Sequence, residues 1–123
     1  MAKYNLSEAE YEIMEYIWKR DCMLKFSDIM EFLSEKGHEW KKQTVQTFLT
    51  RLIEKGVLKA QKDGHCRLYY PAMSEEEYSS KWTKNIVKNA FGNSLKEFLV
   101  AFTGGKKLTE EEAAELHDFL EQQ

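Results

Sequence analysis

Apolar residues recur along the chain at two spacings, and the change between them organises the sequence. After Ser7, the residues Ile13, Met14, Ile17 and Trp18 share one helical face and predict a helix ending near Arg20. Ser27 opens a second helix carrying Ile29, Met30, Phe32 and Leu33, and Gly37 supplies the left-handed residue that ends it. From about Gln43, Val45, Phe48, Leu49, Leu52 and Ile53 repeat at i, i+3, i+4, i+7 and i+8 until Gly56 stops the run. Beyond Gly56 the period shortens. Two partly alternating runs, 57–62 and 66–70, flank Asp63-Gly64, which predicts a two-stranded hairpin. Three further helices are marked by Tyr78, Trp82, Ile86 and Ala90, by Leu95, Phe98, Leu99 and Phe102, and by Ala113, Leu116, Phe119 and Leu120. Ser7/Glu10, Ser74/Glu77, Ser94/Glu97 and Thr109/Glu112 each have the spacing of a reciprocal N-terminal cap.

Three helices followed by a basic hairpin is the order of a winged helix-turn-helix. The predicted fold is therefore mostly α with a small β-hairpin wing: a winged-helix domain over residues 1–73 and a helical module over 74–123, with the single Pro71 near their junction. About fifty residues in three helices bury too little surface to stand alone. The second part therefore reads as a dimerisation module whose apolar residues Trp82, Ile86, Phe98, Leu99, Phe102, Leu116 and Leu120 need partners from a second copy.

Composition narrows the class. Of 123 residues, 42% are apolar and 13% aromatic, too many for a disordered chain. No stretch approaches the length of a membrane span and the start lacks an apolar secretory core, so the expected location is cytoplasmic. Cys22 and Cys66 form no CxxC pair and read as reduced thiols. The net charge of −3 would discourage a nucleic-acid partner, but its distribution reverses that inference. Residues 1–39 sum to −4, residues 40–73 to +5 and residues 74–123 to −4. Polyanions respond to the local field more than to the total.

The third helix presents Lys42, Gln43, Thr44, Gln46, Thr47, Thr50, Arg51 and Lys55 outside its apolar stripe, residue types that reach base edges and phosphates. The N-terminal turns of such a helix enter the major groove, which nominates Gln43, Thr44, Gln46 and Thr47 as base readers. Lys41, Lys42 and Arg51, with Lys59, Lys62 and Arg67 of the hairpin, are the candidate phosphate contacts. The hairpin cations also have a structural explanation, since charge protects an edge strand from unwanted pairing. Tyr69, Tyr70 and the three tryptophans read as packing residues. There is no phosphate loop, HExxH or recognisable nucleophile, and His65-Cys66 lacks the second pair of a zinc site, so no catalytic residue, metal or cofactor is expected. Glu110, Glu111 and Glu112 oppose the dipole of the helix they begin. The rival reading is a winged-helix adaptor whose basic middle meets an acidic protein.

Several blocks resemble the penicillinase repressors of the BlaI/MecI type: LeuSerGluAlaGlu with Met14 and Trp18, Trp40 with ThrValGlnThrPheLeuThrArgLeu and the LysGly at 55 and 56, and TyrTyrPro at 69–71. Agreement continues through Lys84, Asn85, AsnSerLeu at 93–95 and the closing LeuThrGluGluGlu. The resemblance implies a dimeric repressor whose winged helix binds an inverted repeat over a promoter. In antibiotic-responsive members, a membrane sensor protease triggers cleavage just before a Phe of the C-terminal module; the matching bond is Ala101-Phe102, with Ala where Asn is familiar. Another branch senses metals through a C-terminal cysteine cluster, and this chain has no cysteine after position 66. Lys41 stands where the family often has a capping Ser, and Gln46 where it often has a basic residue.

Overall fold

A computed structural model describes residues 3–123. Among them the elements run α1 (Glu8–Arg20), β1 (Leu24–Lys25), α2 (Phe26–Glu35), α3 (Lys42–Glu54), β2 (Leu58–Asp63), β3 (Cys66–Pro71), α4 (Glu75–Phe91), α5 (Leu95–Thr103) and α6 (Glu110–Glu121). Among the described residues, no helix is long and apolar enough to cross a membrane. The Ser7/Glu10 and Thr109/Glu112 pairs form full reciprocal caps, whereas at Ser74 and Ser94 the hydroxyl accepts the N–H of Glu77 and Glu97 without the return bond to the backbone. Helices α2 and α3 end alike. Gly37 and Gly56 take positive φ, and the amides of His38 and Val57 reach back to the carbonyls of Leu33 and Leu52.

Three local features differ from the sequence reading. The α2 helix starts before Ser27, because the Asp28 carboxylate accepts the Lys25 N–H at 2.9 Å and caps the helix from inside its first turn. The ribbon is a three-stranded antiparallel sheet in the order β1-β3-β2, with Leu24 opposite Tyr69. The hairpin turn falls one residue later than Asp63-Gly64. Asp63 pairs with Cys66, leaving Gly64 and His65 as the loop, and Gly64 at φ +63° occupies the first central position as a type II′ turn requires.

The core joins Ile13, Met14 and Ile17 of α1, Ile29 and Leu33 of α2, Val45, Leu49 and Leu52 of α3, and Leu24, Val57, Leu58 and Tyr69 around the sheet. Each such side chain withdrawn from water contributes about 1.5–3 kcal/mol. Trp18 and Trp40 pack against this core as expected of anchors, and the Trp18 indole N–H donates to the Met73 carbonyl at 3.0 Å. Ahead of α3, the His38 ring stacks on Trp40 at 3.9 Å and bonds Glu12 at 2.8 Å, while Trp40 meets Phe48 edge-on. These contacts hold the α2–α3 turn.

The chain forms two compact units that divide between Trp82 and Thr83, beyond the 73/74 boundary read from the sequence. The reason lies in the start of α4. Tyr78 is buried with the first unit and its hydroxyl donates to the Asn5 side chain, and Trp82 lies edge-on to Tyr4 at 5.7 Å. The second unit is thin: neither α5 nor α6 fully buries a single side chain.

One buried charge ties the first unit together. Glu10 is only 3% exposed, and its Oε1 accepts the Ser7 N–H and the Lys55 ammonium, each at 2.8 Å. Lys55 also donates to the Asn5 carbonyl at 2.7 Å. Burial is the strongest single influence on this carboxyl and pushes it up, but Lys55 together with the Ser7 N–H and hydroxyl outweighs it and holds Glu10 below the ordinary carboxylate range. A group held low in the folded state stabilises fully above its unfolded value, about 4.3, and loses that contribution as pH falls through the folded value. Thermal melting should place Glu10→Gln about 1–2 kcal/mol below the wild type at pH 7 and bring the two together in strong acid. Equal stability at pH 7 would refute the role given to this pair.

Candidate nucleic-acid interface

Burying Val45, Leu49 and Leu52 turns the opposite side of α3 to solvent. Gln43, Thr44, Thr47, Thr50 and Arg51 are exposed there, and Gln46 is half-buried at the edge. Gln43, Gln46, Thr47, Thr50, Arg51 and Glu54 line a shallow groove of about 530 Å³. Their side chains are not equally available. The Thr47 hydroxyl donates to the Gln43 carbonyl at 2.9 Å, which leaves it an acceptor and a methyl to offer. The Gln46 amide nitrogen donates to the Tyr69 hydroxyl at 3.3 Å. Thr44 has no side-chain hydrogen bond among the described residues. Lys55 is withdrawn from the surface set altogether, since Glu10 and Asn5 occupy its ammonium.

The wing adds cations selectively. Alternation along β2 and β3 puts Lys62 and Arg67 on the face that carries Tyr69, and Lys59 on the other. Lys62 and Arg67 are direct cross-strand partners, an arrangement of like charges that destabilises a hairpin on its own. The Arg67 guanidinium stands 5.7 Å from the Tyr69 ring. Between this face, the start of α2 and Gln46 lies a cleft of about 430 Å³, lined also by Lys25, His65 and Cys66. Of the three wing cations, the fold therefore puts Lys62 and Arg67 on one face of the sheet, with Arg67 in the cleft beside Gln46, and Lys59 on the other face.

Two residues of this surface escaped the nominations made from sequence. Thr50 stands one turn beyond Gln46 and Thr47 on the exposed strip, past the N-terminal turns that usually enter the groove. Lys25 was hidden by the misplaced start of α2. Its signal was Asp28, three residues on, at the spacing of a residue that bonds back to the amide before the helix.

At the start of α3, Lys41 sits in the N-cap position with no side-chain hydrogen bond, and the first turn carries no acid. Both features oppose what a helix N-terminus favours. They leave Lys41 and Lys42 exposed beside the polar strip.

The family model for penicillinase repressors matches residues 6–122. Over 117 residues the chain is 32% identical to a penicillinase repressor of Bacillus licheniformis, spanning 95% of this chain and 90% of that one. It is 28% identical over 117 residues to the methicillin resistance regulatory protein MecI of Staphylococcus aureus strain N315, spanning 95% and 94%. Its fold is similar to that of the monomeric form of Bacillus licheniformis BlaI in complex with the blaP half-operator, with a TM-score of 0.51 and 38% identity over 63% of this chain and 94% of that one.

The uncapped start of α3 generates a paired expectation. Lys41→Ser should raise stability by about 0.5–1 kcal/mol in thermal melts by restoring a cap, while weakening duplex DNA binding through the lost charge. A variant that gained stability with unchanged affinity would remove Lys41 from the interface.

Proposed function

Because the chain belongs to the penicillinase repressor family, it is a DNA-binding transcriptional repressor, and we propose that it acts as a homodimer on an inverted-repeat operator. The observation that carries the DNA-facing assignment is the pairing of Lys62 with Arg67 across the wing, where Arg67 shares a cleft with Gln46 of the α3 strip. Two cations placed opposite each other cost stability, and a polyanion lying against them would offset that cost. In this reading Gln43, Thr44, Gln46 and Thr47 meet base edges, with Thr50 next along the same strip. Lys41, Lys42, Arg51, Lys62 and Arg67 meet phosphates, and Lys59 takes no part. With its proton committed to Gln43, Thr47 offers an acceptor or its methyl, the latter a partner for thymine. An adaptor role without DNA would use the same surface but would not distinguish one duplex from another.

Dimerisation finds its support in the second unit. Phe102, Phe119 and Leu120 are each more than half exposed, with Leu95 and Val100 beside them in the same class. Ile86, Phe98, Leu99 and Leu116 are only half-buried. Exposed apolar surface of this extent marks an interaction site, and a second copy fits best, since an operator with two half-sites mirrors a two-fold protein. Trp82 already packs on Tyr4 within the chain and is the least suited of the nominated interface residues. The Ala101-Phe102 bond lies in the exposed last turn of α5, before the left-handed Gly104. Release of repression by proteolysis at this bond, through a membrane sensor protease, would require that turn to unwind first.

Five phosphate-contacting side chains per subunit set the expected salt response. For a dimer, log K against log salt should fall with a slope of up to about −9. Lys62→Ala should weaken all duplexes alike and lessen the slope by about 2, whereas Thr44→Ala should change sequence preference. A flat salt dependence, or two variants that lose affinity identically on every duplex, would contradict the assignment. For the dimer, light scattering of the full chain should show Leu120→Glu shifting the population from two copies toward one. An unchanged mass would place the interface elsewhere.

A further inference from the structure

Among the described residues, the carboxamide of Gln46 is the polar group of the α3 strip that bonds the wing. It lines both the groove along α3 and the cleft against the hairpin. Its nitrogen donates to the hydroxyl of Tyr69 at 3.3 Å. That hydroxyl belongs to a residue only 1% exposed, in the central strand, flanked by Leu24 on one side and Ala60 on the other. The phenol oxygen is therefore a fixed point.

An amide nitrogen carries two hydrogens. With one committed to the phenol, the carbonyl oxygen and the second N–H are what remain for an incoming base. An acceptor beside a donor is the complement of adenine in the major groove, which offers the N6 amino group and the N7 acceptor. Guanine and thymine present acceptors where this carbonyl would lie. We infer that Tyr69 is a positioning residue for sequence readout: its buried hydroxyl anchors the Gln46 side chain where its carbonyl and second N–H can meet adenine.

Removing that hydroxyl takes away the anchor and lets the side chain leave the position in which its carbonyl and second N–H meet adenine. The ring of Tyr69→Phe still fills the core, so its effect should appear in base preference at one position. The inference rests on the DNA-binding reading above.

The test enriches bound sequences from a randomised duplex pool with the full-length protein and its variants. The wild type should favour adenine over guanine about tenfold at one position of each half-site. Gln46→Ala should lose that preference and no other. Tyr69→Phe should cut it to about threefold or less at the same position, leaving the rest of the motif intact. Gln46→Glu, which replaces the amide donor with a second acceptor, should move that position to cytosine and keeps the inference testable should Tyr69→Phe fail to fold. Undiminished adenine preference in Tyr69→Phe, an equal loss at every position, or no shift in Gln46→Glu would overturn the inference. A wild type that enriches no sequence would instead overturn the repressor reading itself.

Discussion

A carboxylate almost excluded from water must be paired, and Glu10 meets that requirement by reaching across the winged-helix unit to Lys55. The pair joins the first turn of α1 to the last turn of α3, and through Asn5 it also takes in Tyr78 at the start of α4. Lys55 is well placed for a second reason, because a cation at a helix C-terminus opposes the negative end of the dipole. The reciprocal cap of α1 uses the same carboxylate. One residue thus starts one helix and anchors another. The other Glu10 oxygen is buried without a hydrogen bond among the described residues, so the charge depends wholly on the partners gathered at Oε1. Sliding α3 along its axis would break this contact, which sets where the outward strip of α3 stands relative to the wing.

The basic surface obeys a different logic. Lys41 occupies a cap position it cannot fill, and Lys62 faces Arg67 across the hairpin. Each breaks a local rule of helix or sheet stability, and both breaches lie on the surface assigned to phosphates. Departures from local consistency concentrate where function demands them. The rest of the chain follows the rules closely: a cap at Ser7, glycines in left-handed geometry after α2 and α3, and acids in the first turns of α1, α4 and α6. Stability gained in those places offsets what the charged surface gives up.

Most of the architecture could be read directly from the chain, because helix periodicity and capping are local signals. Six helices, the stop at Gly56 and a hairpin followed from spacing and turn residues. The failures were of two kinds. A strand of two residues has no period to detect, so β1 exists only because Tyr69 and Leu68 stand opposite Leu24 and Lys25. The hairpin turn depends on register, and a shift of one residue separates an Asp63-Gly64 loop from the Gly64-His65 loop that forms.

Sequence by itself determined the winged-helix order, the basic middle segment between two acidic ones, and the set of polar residues on α3. Tertiary structure decided which of those residues are available. Lys55 looked like a surface cation until the fold brought Glu10 to it, forty-five positions away. Lys59 looked equivalent to Lys62 until register put them on opposite faces, and Gln46 looked like any exposed amide until the wing supplied the Tyr69 hydroxyl. Residue type and spacing are properties of the chain, whereas a hydrogen bond between distant segments exists only once packing has brought its two groups within about 3 Å.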